Sequence, residues 1–217
     1  GVVASTEVAC EYVLLDLSKA SVAVEGFGAV GKAAVKFLTE KGANVVAVSD
    51  SKGAIYQPDG LDYEKLLEVK ETTGAVKNYE DGRIIGNEDL FRLPVDILIP
   101  GARPDVISNK NVRDIKAMLI VEAANIPVTM EAERILHDRG ILVVPDFIAN
   151  AGGLITAAVE YRGGTENEVF KIIGDKITKN TKLVLDMAKE KKILPRVAAE
   201  KIAKERVLKA MEYRGKI

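Results

Sequence analysis

Val22-Ala23-Val24-Glu25-Gly26-Phe27-Gly28-Ala29-Val30-Gly31 reads as a short buried strand, a glycine turn and the opening of a helix. The glycines stand at G-x-G-x-x-G spacing, and each has a task in a dinucleotide-binding unit. Gly26 permits a tight turn, Gly28 lets a diphosphate approach backbone that carries no Cβ, and Gly31 lets the helix pack close to the strand. A diphosphate placed there faces free N–H groups at the positive end of a helix. The same spacing also occurs in βα turns that bind nothing, so the flanking sequence decides. Val30, Ala33, Ala34, Phe37, Leu38 and the stem of Lys41 follow at helical spacing, and Gly42 is a natural stop. A second apolar strand from Asn44 to Ser49 ends at Asp50, roughly 20 residues beyond the glycines, where an acid meets the adenosine ribose.

Outward from this unit the pattern alternates. Residues 5–18 are expected to be helical, with Val8, Tyr12 and Leu15 as the apolar stripe. Residues 53–60 read as a short hairpin or turn excursion. Asp62 is expected to cap a helix through about Lys70, and a short helix is expected over 88–92. Three further apolar runs, 95–99, 117–121 and 141–144, have the near-continuous hydrophobicity of parallel strands covered on both faces. Helical segments are expected between them at 109–115 and 130–139, the second capped by Thr129 and ended by Gly140. Strand and helix alternating across 22–144 predict a Rossmann-like α/β fold, a doubly wound, mostly parallel sheet with additional C-terminal helices. The Rossmann core is expected at about 20–150, with helical flanks at 1–18 and 151–217, in one nucleotide-binding domain. In the C-terminal flank Val169, Ile172, Ile173, Ile177, Val184, Leu185 and Ala188 are expected to face inward.

The composition narrows the class. The chain has 217 residues, 47% of them hydrophobic, and a net charge of −1, with acidic and basic residues intermixed. That gives no reason to expect a nucleic-acid or anionic-membrane partner. No apolar run reaches the roughly 18 residues of a membrane helix. Cys10 is the sole cysteine, so no intrachain disulfide or thiolate metal cluster is possible; it reads as a small buried apolar residue, consistent with a reducing cytoplasm. His137, the sole histidine, lies in a charged amphipathic segment and reads as a solvated helix position. The chain opens at Gly1 rather than Met and is expected to be a fragment or a processed product.

In an open parallel sheet, ligands bind beyond the carboxyl ends of the strands. The segments at those ends are the glycine turn, Ser49–Lys52, Pro100–Pro104, Glu122–Pro127 and Pro145–Gly153. The last three are small, proline-stiffened and largely apolar, and they carry Asn125 and Asn150, which suits an uncharged planar group such as a nicotinamide. Both asparagines also fit ordinary turn or cap chemistry. The loops contain no evident proton-transfer centre: Asp50, Lys52, Glu122 and Asp146 are the candidates, Asp50 is assigned to ribose, and Asp146 reads equally as a helix cap. No metal-ligand cluster and no Ser/His/Asp set is present, so no catalytic residue is assigned within this chain.

Gly26–Gly31, Ala47–Gly53, Glu122–Pro127 and Pro145–Gly153, in that order, resemble the glutamate dehydrogenase family and, more broadly, the glutamate/leucine/phenylalanine/valine dehydrogenases. The ending from Ala198-Ala199 through Arg206-Val207 to Arg214-Gly215 is similar to that family's C-terminal helices. The resemblance covers essentially the whole chain but only the second, nucleotide-binding domain of the family. It implies a missing substrate domain that holds the catalytic lysine and aspartate. It also implies oxidative deamination of an L-amino acid to a 2-oxo acid and ammonia with NAD or NADP, and a parent protein that forms a homo-hexamer; with the reducing cytoplasm that Cys10 suggests, the enzyme is expected to be cytoplasmic. Carried over by residue, Gly26, Phe27, Gly28, Ala29 and Val30 surround the diphosphate. Asp50 and Ser51 lie at the adenosine ribose, Gly101 and Ala102 beside the nicotinamide ribose with Asn125 near it, and Asn150 at the boundary between nicotinamide and substrate. NAD is favoured because Asp50 repels a 2′-phosphate, although Lys52 stands close enough to offset it. One position departs from the pattern. Glutamate-specific members usually carry a serine where Ala157 stands, beside Thr156, which keeps a branched or aliphatic amino acid open as substrate. A nucleotide-sensing module without chemistry, and a structural fragment that binds no nucleotide, are the competing readings.

Overall fold

In the computed structural model, which describes residues 1–215, the strand that leads into the Gly26–Gly31 turn lies at the middle of a seven-stranded sheet. In chain order the elements are α1 (Val2–Tyr12), β1 (Ser21–Glu25), α2 (Ala29–Glu40), β2 (Asn44–Asp50), β3 (Gly53–Tyr56), α3 (Tyr63–Thr73), β4 (Arg83–Ile85), α4 (Asn87–Leu90), β5 (Ile97–Pro100), β6 (Leu119–Val121), α5 (Met130–Asp138), β7 (Leu142–Val144), α6 (Asp146–Ala149), α7 (Gly152–Glu160), α8 (Glu166–Lys191) and α9 (Pro195–Tyr213). The strands lie in the order β4-β3-β2-β1-β5-β6-β7; β2, β1, β5, β6 and β7 are parallel, and β3 and β4 run antiparallel at one edge. The order switches direction at β1, which pairs with β2 on one side and β5 on the other, so a crevice opens beyond their carboxyl ends.

Alternation along β1 places Val22 and Val24 in one core and Ala23 in the other. The first core packs against α1 and α2 through Val8, Val35 and Leu38. The second includes Leu90, Ile115 and Leu136, under α4 and α5. Asp62 caps α3 by accepting from the Lys65 N–H at 2.8 Å, and Thr129 caps α5 by accepting from Ala132 at 3.3 Å. No helix among the described residues is long and apolar enough to cross a membrane.

Several expectations need correction. The first helix spans Val2–Tyr12, not 5–18: Leu14 takes a left-handed φ of +55° and is exposed, and Asp16 then starts a separate 3-10 turn by accepting from the Ser18 N–H at 3.1 Å. The excursion after Asp50 is part of the sheet, because β3 folds back on β2 and carries β4 with it. β4, three largely exposed residues, has too little apolar pattern to be read from sequence. Residues 109–115 form only a 3-10 turn at Val112–Asp114, since the Asn111 side chain accepts from the Ser108 N–H and donates to the Val106 carbonyl and so holds a loop. In α2 the buried face is Gly31, Ala34, Val35 and Leu38, while Val30 and Phe37 are exposed. In α8, Ile172 and Ile173 are half-buried, whereas Val169, Ile177, Val184, Leu185 and Ala188 are in the core.

Candidate functional site

The glycine turn is shaped by contacts that a side chain would break. Gly26 has φ +96°, and a Cβ there would lie 2.9 Å from the Ala102 Cβ. A Cβ on Gly31 would overlap the Gly26 carbonyl oxygen and sit 2.8 Å from its carbon, so the close approach of α2 to β1 excludes any larger residue. Gly28 differs from both. It is the N-cap of α2 in extended backbone, no side chain caps the helix, and a Cβ there would meet nothing within 4 Å. The start of α2 thus carries no side-chain cap and borders open space at Gly28, so its first-turn N–H groups are left for an anion. Phe27 is buried beneath the turn; Ala29 and Val30 are exposed. The Gly26 N–H donates to Ser49 Oγ at 3.2 Å, which ties the turn to β2.

At the end of β2, Asp50 is 8% exposed, and its carboxylate already has partners within the chain. Oδ2 accepts from Lys70 Nζ at 2.6 Å and from the Val76 N–H at 2.9 Å, and Oδ1 accepts from the Lys52 N–H at 2.7 Å. Burial pushes this carboxyl up, but Lys70 and the two N–H donors more than reverse that and hold it below the ordinary carboxylate range. Ser51, next in sequence, is exposed.

On the other side of the switch point, Glu25 holds the loop after β5. Its Oε2 accepts from the N–H groups of Ala102 (2.7 Å) and Gly101 (3.1 Å), and Arg103 Nε lies 3.7 Å from Oε1. The structure brings Asn125 and Asn150 together: Asn150 Nδ2 donates to Asn125 Oδ1 at 2.9 Å and to the carbonyls of Ala124 and Ala123 at 3.3 and 3.4 Å. An apolar cleft of about 320 Å³ runs from Ala29, Val30 and Phe37 to Asn150 and Gly153, and Val2 forms part of its wall.

The acids considered for proton transfer are all engaged. Asp50 is held by Lys70, and Glu122 and Asp146 are bound to the guanidinium of Arg196. Asp146 is therefore not the expected helix cap: it is the first residue of α6, whose N-cap is Pro145, and its oxygens go to Arg196 and the Ile126 N–H. Thr156 Oγ1 donates to the Gly152 carbonyl at 3.0 Å, and Ala157 is exposed. His137 lies exposed on α5, Cys10 is buried, and no cluster of acids, histidines and cysteines able to hold a metal exists among the described residues. Sequence reasoning assigned nothing to Glu25, Lys70 or Arg196. Glu25 lies inside the Val22–Gly31 stretch, and a charge ending an otherwise apolar strand is a signal; Lys70 and Arg196 sit among the many other charged residues of α3 and α9, and nothing local marks them.

The sequence model of the family described as "Glutamate/Leucine/Phenylalanine/Valine dehydrogenase" matches residues 1–215. A glutamate dehydrogenase of Aeropyrum pernix is 47% identical over 99% of this chain and 54% of its own length. An NADP-specific glutamate dehydrogenase of Saccharolobus shibatae is 42% identical over 89% of this chain and 48% of its own. An NAD-specific glutamate dehydrogenase of Staphylococcus aureus is 38% identical over 99% of this chain and 53% of its own. Among solved structures, the hetero-hexameric glutamate dehydrogenase of Thermus thermophilus superposes with a TM-score of 0.88 at 29% identity, over 98% of this chain and 52% of that one. The chain thus spans about half the length of the relatives it matches. On the family match and the shared Rossmann-like fold, it belongs to the glutamate/leucine/phenylalanine/valine dehydrogenase family.

Proposed function

We propose that this chain is the cofactor-binding part of an amino-acid dehydrogenase, acting on glutamate and using NAD or NADP. One observation carries the reading: the uncapped N-terminus of α2 opens at Gly28 onto space that no protein atom fills, at the switch point of the sheet. Gly26, Phe27, Gly28, Ala29 and Val30 would surround the diphosphate, with the first-turn N–H groups of α2 supplying the donors. Asp50 and Ser51 would meet the adenosine ribose, and Gly101 and Ala102, held by Glu25, would lie beside the second ribose. Asn150 spends its Nδ2 on neighbouring carbonyls and keeps Oδ1 as an acceptor, while Asn125 keeps Nδ2 as a donor. One donor and one acceptor side by side complement the carboxamide of a nicotinamide. The cofactor, when bound, takes a hydride from the α-carbon of the amino acid.

Proton transfer would fall to the rest of the parent protein, because the acids at these loops are tied down. Thr156 spends its hydroxyl within α7, so recognition of the glutamate side-chain carboxylate would also come from the missing domain. We place the parent in the cytoplasm as a hexamer, the latter by analogy with the Thermus enzyme. Calorimetric titration of the chain with NADH and NADPH tests the reading. Both should bind, and Gly28→Val should abolish binding while leaving the circular dichroism spectrum unchanged, since backbone at φ −85° accepts any residue. Unchanged affinity in that variant would put the diphosphate elsewhere. Deamination of glutamate by this chain alone would refute the division of labour.

A further inference from the structure

Three buried carboxyl groups and the largely covered guanidinium of Arg196 lie behind the loops that carry Asn125 and Asn150, and the proposed reaction uses none of them directly. Arg196, in the first turn of α9, faces three carboxylates from three elements. Nη2 lies 2.7 Å from Glu122 Oε2 just beyond β6, Nε 2.8 Å from Glu133 Oε2 on α5, and Nη1 3.0 Å from Asp146 Oδ1 at the start of α6. Glu122, Glu133 and Asp146 are 0%, 2% and 6% exposed. One cation against three buried acids is a poor way to stabilise a fold, because desolvation outweighs the attraction and apolar residues of similar volume serve as well or better. Glu122 Oε1 and Glu133 Oε1 are buried without any hydrogen-bond partner, which adds to the cost.

The remaining bonds of this cluster lead to the site. Asp146 Oδ2 accepts from the Ile126 N–H at 2.9 Å, and the Asp146 N–H donates to Glu122 Oε2 at 2.8 Å. Ile126 has a φ of +49°, a strained conformation for a β-branched residue that persists only when its surroundings impose it. Its neighbour is Asn125, which accepts from Asn150, and Asn150 is the C-cap of the four-residue helix that Asp146 begins. Arg196 thus grips both ends of the path on which the two asparagines stand, and its guanidinium also lies 5.7 Å from the centre of the Phe147 ring in the same helix.

We infer that Arg196 is a positioning residue for the nicotinamide end of the cofactor site, acting through Asp146 and Glu122 on the strained loop at Asn125-Ile126 and so on the Asn125–Asn150 pair. The C-terminal helix α9 is in this way part of the cofactor site without touching the cofactor. The inference rests on the cofactor reading above. Lysine cannot replace Arg196, because a single ammonium lacks the planar fork that reaches three carboxylates in fixed directions.

The experiment compares two ligands by calorimetry on the 217-residue chain: NADH, and ADP-ribose, which has every part of that cofactor except the nicotinamide ring. The wild-type chain should bind NADH more tightly than ADP-ribose. Arg196→Lys should weaken NADH about tenfold or more and leave ADP-ribose within about twofold, since one misplaced hydrogen-bonding pair is worth about 1–2 kcal/mol. If Arg196→Lys does not fold, the triple variant Arg196→Met, Glu122→Gln, Glu133→Gln, which removes two of the three buried carboxylates together with the guanidinium and leaves Asp146 with the Ile126 N–H, should show the same selective loss. Equal weakening of both ligands, or of neither, overturns the inference, as do equal wild-type affinities for the two. A wild-type chain that binds neither ligand would instead bring down the cofactor reading itself.

Discussion

The two ends of the proposed cofactor groove are built by different means. At the diphosphate end the site is made of absences: no Cβ at Gly26, Gly28 or Gly31, no capping side chain on α2, and everything contained within ten consecutive residues. At the nicotinamide end it is made of buried charge gathered from far apart in sequence. Glu25 holds Ala102 across 77 residues, and Arg196 holds Glu122 across 74 and Asp146 across 50. A backbone site needs a tight scaffold and tolerates little steric change; a charge-built site carries desolvation costs and depends on protonation. The two ends should therefore fail in different ways.

The largest effect belongs to the backbone end. Gly31→Ala puts a methyl group onto the Gly26 carbonyl, backbone that cannot move aside as a flexible side chain would. Overpacking of this kind costs about 3 kcal/mol, to be read as a lower urea midpoint at unchanged m-value. Gly28→Ala, three residues earlier and facing open space, should cost less than about 1 kcal/mol yet weaken NADH binding. Equal stability of the two variants would mean that α2 can slide away from β1, and the contrast between the glycines would collapse.

That contrast also explains which parts of the molecule were legible in the sequence. The turn at Gly26–Gly31 and the parallel strands are local patterns, and their geometry follows from residue type and period. The apolar runs of β5, β6 and β7 were readable because both faces of those strands are covered. The antiparallel edge was not: β4 is short and exposed, and β3 joins the sheet because Ser51-Lys52 turns the chain back and Asp50 accepts the Lys52 N–H, an event that hydrophobic periodicity does not encode. The asparagines could be picked out by residue type and loop position, but their pairing could not. Arg196 was unreadable because its partners are defined only once α9 has folded back against β7 and α5.

The second effect sharpens the description of the charge-built end. Burial pushes the Glu122 carboxyl up to about 8, with Arg196 and the Asp146 N–H opposing and the charges of Asp146 and Glu133 reinforcing it. Glu133 is raised as well, by burial first, and Glu200 of α9 adds to its field. In the unfolded chain Glu122 titrates near 4.5. Between these values the folded state holds a proton that the unfolded state has released, so the contribution of Glu122 to stability is fullest below about pH 4.5 and declines as pH rises towards 8, by up to about 1.4 kcal/mol per pH unit. Glu122→Gln keeps an oxygen for Arg196 and Asp146 and removes this titration. Urea unfolding at pH 6 and pH 7.5 should show a flatter dependence in the variant; an unchanged slope would mean that Arg196 keeps Glu122 ionised throughout.

The smallest effect concerns the charge pair just beyond the backbone-built end, at the close of β2. Asp50 alone would repel a 2′-phosphate and select NAD, but Lys70 sits 2.6 Å from it with a side chain 22% exposed, and relatives named for each cofactor exist. The pair is close to neutral, so the 2′ position should discriminate weakly. Lys70→Met leaves the aspartate with only N–H donors, and its negative charge then acts on whatever stands at the ribose. A charge left uncompensated at partial exposure is worth about 1 kcal/mol against a nearby phosphate, roughly fivefold in affinity. NADPH binding should fall by that factor relative to NADH, and the difference should shrink in high salt because the site is open to solvent. A ratio that does not move would mean that the 2′ oxygen points away from Asp50, and the acid at the end of β2 would then act only to fold back β3 and anchor Val76.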